Sequence, residues 1–539
     1  MSLSIATSPC WSQLSGASGI TPSSIVAVIQ CFAAAKLFFI DNLPLEPLPN
    51  NDSDEFDFII IGAGSAGSVV ANRLSEVENW NILLLEAGGD PPITSDIPGL
   101  QTALYGSKND WQYTTVNNGI TSQGLKDGSV GWTKGKMLGG SSSINALAYV
   151  PGNTQDYQNW YDAGNKEWSV EHVHRCFKKA ENLQNEAMLE DPNIKDVYGH
   201  EGHCIINKFN HTLRTYTDYV VESWDKIGFE KVSDLKAANF LGSGVIMATA
   251  TNGVRQSTNK AYLQPVRDRP NLVIMKDSLV TKILINETLS AYGVEVEKDG
   301  EKKVYYASKE VVLSAGSVSS PQLLMLSGVG PKEHLESKNI ETLVDSPMVG
   351  QNLQDHALLP ITVYGDAPGK LSLLELMGDI LKYITKREGN ISLQSNDPKD
   401  PPLIYANYFD DSRDLDVAVD GIKMATKILE TPYFKMINAF LGRMDVPECN
   451  EYELDSEDYW RCICVNLVTS IFHPMGSCKM GTDISTSVVN SRLQVHGVSN
   501  LRVIDAGIFP STISGNINGA CIMVGERGSE LIKEDYNIS

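Results

Sequence analysis

Apolar runs separated by small-residue turns and helix-spaced segments set the frame of this chain. Phe56 to Ile61 (FDFIII) is apolar on both faces, which predicts a fully buried strand. It leads at once into Gly62-Ala63-Gly64-Ser65-Ala66-Gly67 and then SVVANRLSEV, whose spacing is helical. NILLLEAG (81–88) predicts a second buried strand, and NLVIMKDSLVTKILI (271–285) two short ones. KEVVLSAGSVSSPQLLMLSGVG (309–330) and LRVIDAGIFPSTISGNINGACIMVGERGSELI (501–532) each repeat the order strand, small-residue turn, helix. Helical stretches fill the region from Tyr157 to Phe240, and LSLLELMGDILKYITKREGN (371–390) also predicts a helix. VNLVTSIF (465–472) is strand-like.

A chain of 539 residues exceeds one ordinary core, so two domains, or a large nucleotide-binding body with a cap, are expected. The formal net charge of -22 opposes contact with phosphate backbones, and no Lys/Arg cluster relieves it, which argues against nucleic-acid binding. Nine cysteines are scattered without a CxxC pair or zinc-type Cys/His spacing, so no metal is expected. The odd count leaves the redox compartment open. Sequons begin at Asn51, Asn210, Asn286, Asn390 and Asn537 and favour secretion weakly.

Residues 25–40 (IVAVIQCFAAAKLFFI) are too short and too interrupted for a membrane span. They suit either a signal peptide ending near Ala33 to Ala35 or an N-terminal helix, followed by the Pro-rich acidic linker NLPLEPLPNNDSDE. The expectation is a soluble, secreted protein.

The first glycine turn carries the clearest chemistry. In a strand, turn and helix unit, Gly62 permits the tight turn, Gly64 lets a pyrophosphate approach the backbone, and Gly67 lets helix and strand pack closely. Glu86, at the end of the second strand, is placed to accept hydrogen bonds from an adenosine ribose. The alternative is a glycine turn without a ligand. FAD and NAD share this fingerprint. KGKMLGGSSSIN (134–145) is a second small-residue loop whose backbone N–H groups could meet an anion or a ring edge; a polar surface loop is the bland reading. His473 precedes Pro474-Met475-Gly476, a turn that would hold its ring at a strand end. By itself it could equally be a structural histidine. Histidine is nevertheless the natural base at neutral pH. Asn516 by itself could be a loop cap.

KGKMLGGSSSINALAYVPG and GSVSSPQLLMLSGVG (316–330) resemble the two signatures of the glucose-methanol-choline (GMC) family of FAD oxidoreductases. With DFIIIGAGSAG, VGQNLQDH (349–356) and HPMGSCKMG (473–481), the resemblance runs from about residue 54 to 535 and is strongest with the insect branch that includes glucose dehydrogenase and ecdysone oxidase. It implies an α/β (α+β) fold: a Rossmann-like FAD-binding domain with an inserted substrate domain on a six-stranded antiparallel sheet. The parts would be an N-terminal segment and linker (1–53), FAD-binding residues 54–155, 241–345 and 469–539, and substrate-domain residues 156–240 and 346–468. In insect members several tens of residues separate the counterparts of KREGN and ISLQSND, so the sheet is expected to be incomplete near 389–391.

The same resemblance implies roles. His473 would be the base that deprotonates an alcohol while hydride passes to flavin N5, with the Asn516 amide holding the oxygen. Non-covalent FAD would meet Gly62, Gly64, Ser65, Ala66, Gly67, Glu86, Met137, Gly140, Ser141, Asn145, Ala146, Val280, Asp505, Ala506 and Asn518. Ile144 stands where some relatives carry a flavin-bonded histidine, which rules out that bond here. The expected partners are a small alcohol (sugar, ecdysteroid or aryl alcohol) and oxygen or a quinone as electron acceptor. A lyase using FAD structurally, or a catalytically impaired flavoprotein, are the alternatives.

Overall fold

The computed structural model describes residues 54–208, 214–366, 381–384 and 388–538. The N-terminal run with its two readings, the sequons at Asn51 and Asn210, and residues 367–380 lie outside them.

The main sheet has seven strands. β1 (Glu55–Ile61) is followed by α1 (Ser65–Leu74) and β2 (Ile82–Leu85); much later come β3 (Leu272–Met275), β4 (Leu279–Ile285), β5 (Ala291–Lys298) and β6 (Glu301–Leu313). Their order is β3-β2-β1-β6-β5-β4, with a C-terminal strand, Leu501–Val503, also on β6. β1, β2 and β3 run parallel in one register, Ile59 opposite Leu83 and Leu83 opposite Val273. Phe58 to Ile60 and all of β2 are fully buried, as central parallel strands covered on both faces must be. β6 serves two partners along its length: Glu301 to Tyr306 pair antiparallel with β5, and Val311 to Leu313 lie between β1 and Leu501–Val503, parallel to both.

α2 (Gly316–Leu326) leaves β6 at the small-residue turn the sequence predicts. β7 (His356–Leu359) and β8 (Leu381–Ile384) pair antiparallel, and β9 (Thr469–Ser470) pairs antiparallel with the other edge of β7. Among the described residues this three-stranded piece stands where a six-stranded sheet is implied, beside two-residue and three-residue pairs such as Asn390–Ser392 with Leu403–Tyr405. The helix expected over 371–390 is thereby corrected in its described part: Leu381–Ile384 extends to bond β7, and Asn390–Ser392 is a strand.

The strand-like run 465–472 is also corrected. α3 (Glu457–Leu467) takes in its first three residues, and β9 follows only after Val468. The Ser456 hydroxyl caps α3 by accepting from the Tyr459 N–H, and Tyr459, Trp460, Ile463 and Cys464, at helical spacing, are buried in a common core with Val446 and Cys449. Tertiary burial overrides the β-branched composition. A disulfide joins Cys449 to Cys462 on this helix.

After β10 (Leu501–Val503), α4 (Ile517–Asp535) closes the fold and packs along α1. Arg73 of α1 makes a two-pronged ion pair with the buried Glu526 of α4, both N–O distances 2.8 Å. This core places the turn after β1, the turn after β6 and the segment before α4 at one end of the sheet.

Candidate active site

A single cavity of about 1040 Å³ opens at that end. It runs from Gly62, Gly64, Glu86 and Val280 past Gly140, Ser141, Asn145 and Ala146 to His473 and Asn516. That is at or above the upper end of the ~300–1,000 Å³ usual for ligand sites.

At the glycine turn, Gly62 has φ +97°, and a Cβ on Gly67 would stand 1.9 Å from the Gly62 carbonyl oxygen, so β1 and α1 pack at a distance that excludes a side chain there. Around Gly64, by contrast, nothing lies within 4 Å of where a Cβ would be. No side chain caps α1 and its first turn carries no acidic residue, which leaves a positive helix end facing the cavity. The Glu86 carboxylate accepts 2.9 Å bonds from the Ala63 and Gly88 N–H groups. Burial pushes its pKa up to about 7 against those bonds.

The second loop is a 3₁₀ turn, Gly140–Ser143. Arg255, which carried no signal in the sequence, fixes it: one guanidinium nitrogen donates to both the carbonyl and the side-chain oxygen of Asn145, each at 2.7 Å. Asp505 accepts from the Gly316 N–H (2.9 Å), the Ser320 hydroxyl (2.6 Å) and the Gly507 N–H (2.7 Å), which ties the turns after β6 and β10 together. Burial raises its pKa despite these bonds. Asn518 accepts from the Ser65 hydroxyl at 2.7 Å.

Of the residues expected around a cofactor, Gly62, Gly64, Ser65, Ala66, Glu86, Gly140, Ser141, Asn145, Ala146, Val280, Asp505, Ala506 and Asn518 line the cavity. Gly67 lies beneath it. Met137 lies outside the lining, its side chain fully buried with Leu104 and Ile144 in a small core cluster.

At the far end, His473 follows Phe472, whose φ of 65° is rare for a bulky side chain. The flanking groups over-determine that backbone. The half-buried Lys134 ammonium donates to the Phe472 carbonyl at 2.6 Å, the Ser470 hydroxyl accepts from the Phe472 N–H at 2.7 Å, and the Asp355 carboxylate accepts from the His473 N–H at 3.0 Å. Asp355 also accepts from the Tyr408 hydroxyl at 2.5 Å. Burial pushes the Lys134 pKa down to about 8, with the Asp355 charge opposing the shift, and burial raises the Asp355 pKa.

The His473 ring stands between two partners. Its Nδ1 is 2.8 Å from Nδ1 of His356, and its Nε2 is 3.4 Å from the Asn516 amide nitrogen. Asn516 occupies the N-cap position of α4 but makes no side-chain cap bond. Its amide turns to His473 instead. His356 belongs to VGQNLQDH, yet its place beside His473, 117 positions away, had no signal in the sequence. The surrounding wall is apolar: Phe472 meets Tyr105 edge-on at 5.6 Å, Trp111 stacks on Tyr113 at 5.8 Å, and Leu358 and Ile471 complete the lining there.

These residues suit a dinucleotide flavin. An open approach at Gly64, an uncapped helix end, a buried acid at the ribose position and a proton acceptor lie along one continuous cavity. Among the described residues no group of His, Cys, Asp and Glu is arranged to hold a metal.

Residues 56–358 match the N-terminal GMC oxidoreductase model and 385–525 the C-terminal one. Ecdysone oxidase of Bombyx mori is 34% identical, covering 97% of this chain and 88% of that protein. The alignment runs over 604 positions, more than the 539 residues here, so stretches of that relative have no counterpart in this chain. Glucose dehydrogenase [FAD, quinone] of Drosophila pseudoobscura pseudoobscura is 35% identical, covering 89% of this chain and 87% of that protein. Among solved structures, pyridoxine 4-oxidase from Mesorbium loti superposes with a TM-score of 0.78 at 24% identity, covering 89% of this chain and 99% of that one, a likeness of fold.

Proposed function

Since this chain belongs to the GMC oxidoreductase family and is an FAD-dependent enzyme acting on alcohols, we propose that it oxidises the CH–OH group of an apolar, ring-bearing alcohol, with His473 as base and Asn516 as the oxygen-holding group. The observation that carries this is the position of His473 and Asn516 together at one end of the cavity whose other end is the dinucleotide fingerprint.

FAD, when bound, supplies the hydride acceptor. The Gly62 to Gly67 turn, Glu86, the 140–146 loop, Val280, Asp505, Ala506 and Asn518 are the groups proposed to hold it. Nε2 of His473 takes the hydroxyl proton, and the Asn516 amide hydrogen-bonds the oxygen as negative charge develops on it.

The apolar wall around His473 supports the substrate class. Tyr105, Trp111, Tyr113, Leu358, Ile471 and Phe472 offer large apolar surfaces, whereas a polyhydroxylated sugar would need matched polar groups, each costing about 1–3 kcal/mol if left unpaired. Ecdysteroids and aryl alcohols meet this requirement better than glucose. Oxygen or a quinone serves as terminal acceptor, in keeping with the likeness to glucose dehydrogenase [FAD, quinone].

Secretion is also proposed. The Cys449–Cys462 disulfide suits an oxidising compartment, and Asn286 and Asn537, both sequon asparagines, are exposed. No helix among the described residues is long and apolar enough to cross a membrane.

The test is anaerobic mixing of yellow holoprotein with ecdysone, aryl alcohols and glucose, followed by oxygen or quinone. Bleaching by the apolar alcohols, lost in His473→Ala with the flavin spectrum retained, is expected. Equal bleaching in His473→Ala would overturn the assignment of the base, and bleaching by glucose alone would overturn the substrate class.

A further inference from the structure

His356 carries information that the reaction scheme above does not use. Its ring is fully buried and bonded at both nitrogens: Nε2 lies 2.8 Å from the main-chain oxygen of Ile513, and Nδ1 lies 2.8 Å from Nδ1 of His473. A carbonyl oxygen only accepts, so His356 Nε2 bears a hydrogen. A neutral imidazole has one N–H, which leaves His356 Nδ1 with a lone pair. Two ring nitrogens at hydrogen-bond distance need one proton between them, and it therefore sits on His473 Nδ1. The neutral His473 ring then has its lone pair on Nε2, the nitrogen beside the Asn516 amide in the cavity.

We propose that His356 is a positioning residue that fixes His473 in its Nδ1-protonated tautomer, so that Nε2 is bare toward the alcohol, and that it accepts the Nδ1–H of the imidazolium formed when His473 takes the substrate proton. The proposal rests on His473 being the base. It gives the base the third, orienting group that activated proton acceptors elsewhere possess.

The proton balance closes. The alcohol O–H bond breaks and an N–H forms at His473 Nε2; the Nδ1–H···Nδ1 bond to His356 persists and becomes charge-assisted. Because His356 is a neutral acceptor, the proton stays on His473, from which it returns to solvent after turnover. Two further features make the arrangement specific. Asp355, the residue before His356, accepts the His473 main-chain N–H, so one dipeptide holds this residue by both backbone and ring. Ile513 lies three residues before Asn516, so the chain of bonds Ile513, His356, His473 also sets the segment carrying Asn516 against the ring it must work with.

The decisive measurement is the ¹⁵N NMR spectrum of histidine-labelled holoprotein, with His473 and His356 assigned by their Asn variants. A neutral His473 protonated at Nδ1 is expected; protonation at Nε2 overturns the proposal, whatever the activity. Kinetics supply the second arm. His356→Leu is expected to lower the limiting rate of anaerobic flavin bleaching on the order of 10²- to 10⁴-fold with little change in KM, the scale seen when a base is held in the wrong tautomer. His356→Asn, whose amide oxygen can again accept from His473 Nδ1, is expected to regain at least tenfold of that loss. Equal loss in both variants, or none in His356→Leu, overturns it. If His356→Leu fails to fold, the wild-type spectrum still decides. A spectrum showing the Nδ1 proton together with full bleaching by His473→Ala would overturn the base assignment alone.

Discussion

Lys134 holds the carbonyl of Phe472 at 2.6 Å, from a loop 338 positions earlier in the chain. Asp355 accepts the N–H of the same peptide unit, so both polar groups of the Phe472–His473 amide are fixed by side chains. The left-handed Phe472 and the aim of the His473 ring follow from that grip. Lys134→Met and Asp355→Asn are expected to keep the yellow flavin and an unchanged KM while slowing substrate-driven bleaching by roughly 10- to 100-fold, the cost of misplacing a catalytic group by about an ångström. Stopped-flow bleaching with a substrate titration checks it. A rise in KM at unchanged limiting rate would show that these residues bind substrate instead.

Lys134 also gives the fold a pH dependence of definite sign. Burial lowers its pKa from 10.5 to about 8. Between those values the unfolded chain binds a proton that the folded chain does not, so stability rises with pH across the window; the penalty is full below about 8 and gone above about 10.5. Wild type should gain on Lys134→Met through this window by up to about 3 kcal/mol, measured as the difference in urea midpoints. A wild type that loses stability relative to the variant toward high pH would contradict the desolvation of the ammonium.

Two glycines three residues apart should fail in different ways. Gly67→Ala forces a methyl to within 1.9 Å of the Gly62 carbonyl oxygen and 3.0 Å of the Ser314 Cβ, and is expected to cost more than about 3 kcal/mol or abolish soluble expression. Gly64→Ala meets nothing and its φ of -78° suits any residue, so the apoprotein should melt as wild type does. Its methyl would occupy the approach to the helix end, and FAD should bind about 10- to 100-fold more weakly by fluorescence titration. Undiminished FAD affinity would move the pyrophosphate elsewhere.

The Cys449–Cys462 disulfide closes a separation of 13 residues and holds α3, whose end runs into β9 and His473. Cys449→Ser, or reduction of wild type, is expected to lower stability by about 2–4 kcal/mol. Thermal melts with and without reductant on both proteins check it; the loss on reduction should be smaller in the variant than in wild type.

The nucleotide end of the site was legible because its signal is local: FDFIII, the glycine turn and the following helix are contiguous, and each residue's role depends on neighbours a few positions away. The burial of Met137 was not legible, because a small-residue loop does not say which of its members faces the core, and its neighbour Leu104 lies outside the loop. The run 465–472 misled through its β-branched residues, which α3 absorbs because the Ser456 cap and the buried Tyr459, Trp460, Ile463 and Cys464 stripe outweigh propensity. His473 and Asn516 could be proposed from the resemblance, but Lys134, Asp355 and His356 could not be assigned to them. Their contacts join segments more than a hundred positions apart, and hydrophobic patterning does not report side-chain pairing across such distances.

The ion pair between Arg73 and Glu526 spans 453 positions, the stretch over which α1 waits for α4 on its face. At ~5–20 residues per second, ribosomal synthesis leaves the first strand-turn-helix unit without its cover for tens of seconds or more. Throughout that interval a charged Arg73 and an apolar helix face are presented to the surroundings. The glycine turn is made first and its socket last, so this enzyme acquires its cofactor site only when nearly the whole chain is out, and its biogenesis depends on shelter from aggregation until then.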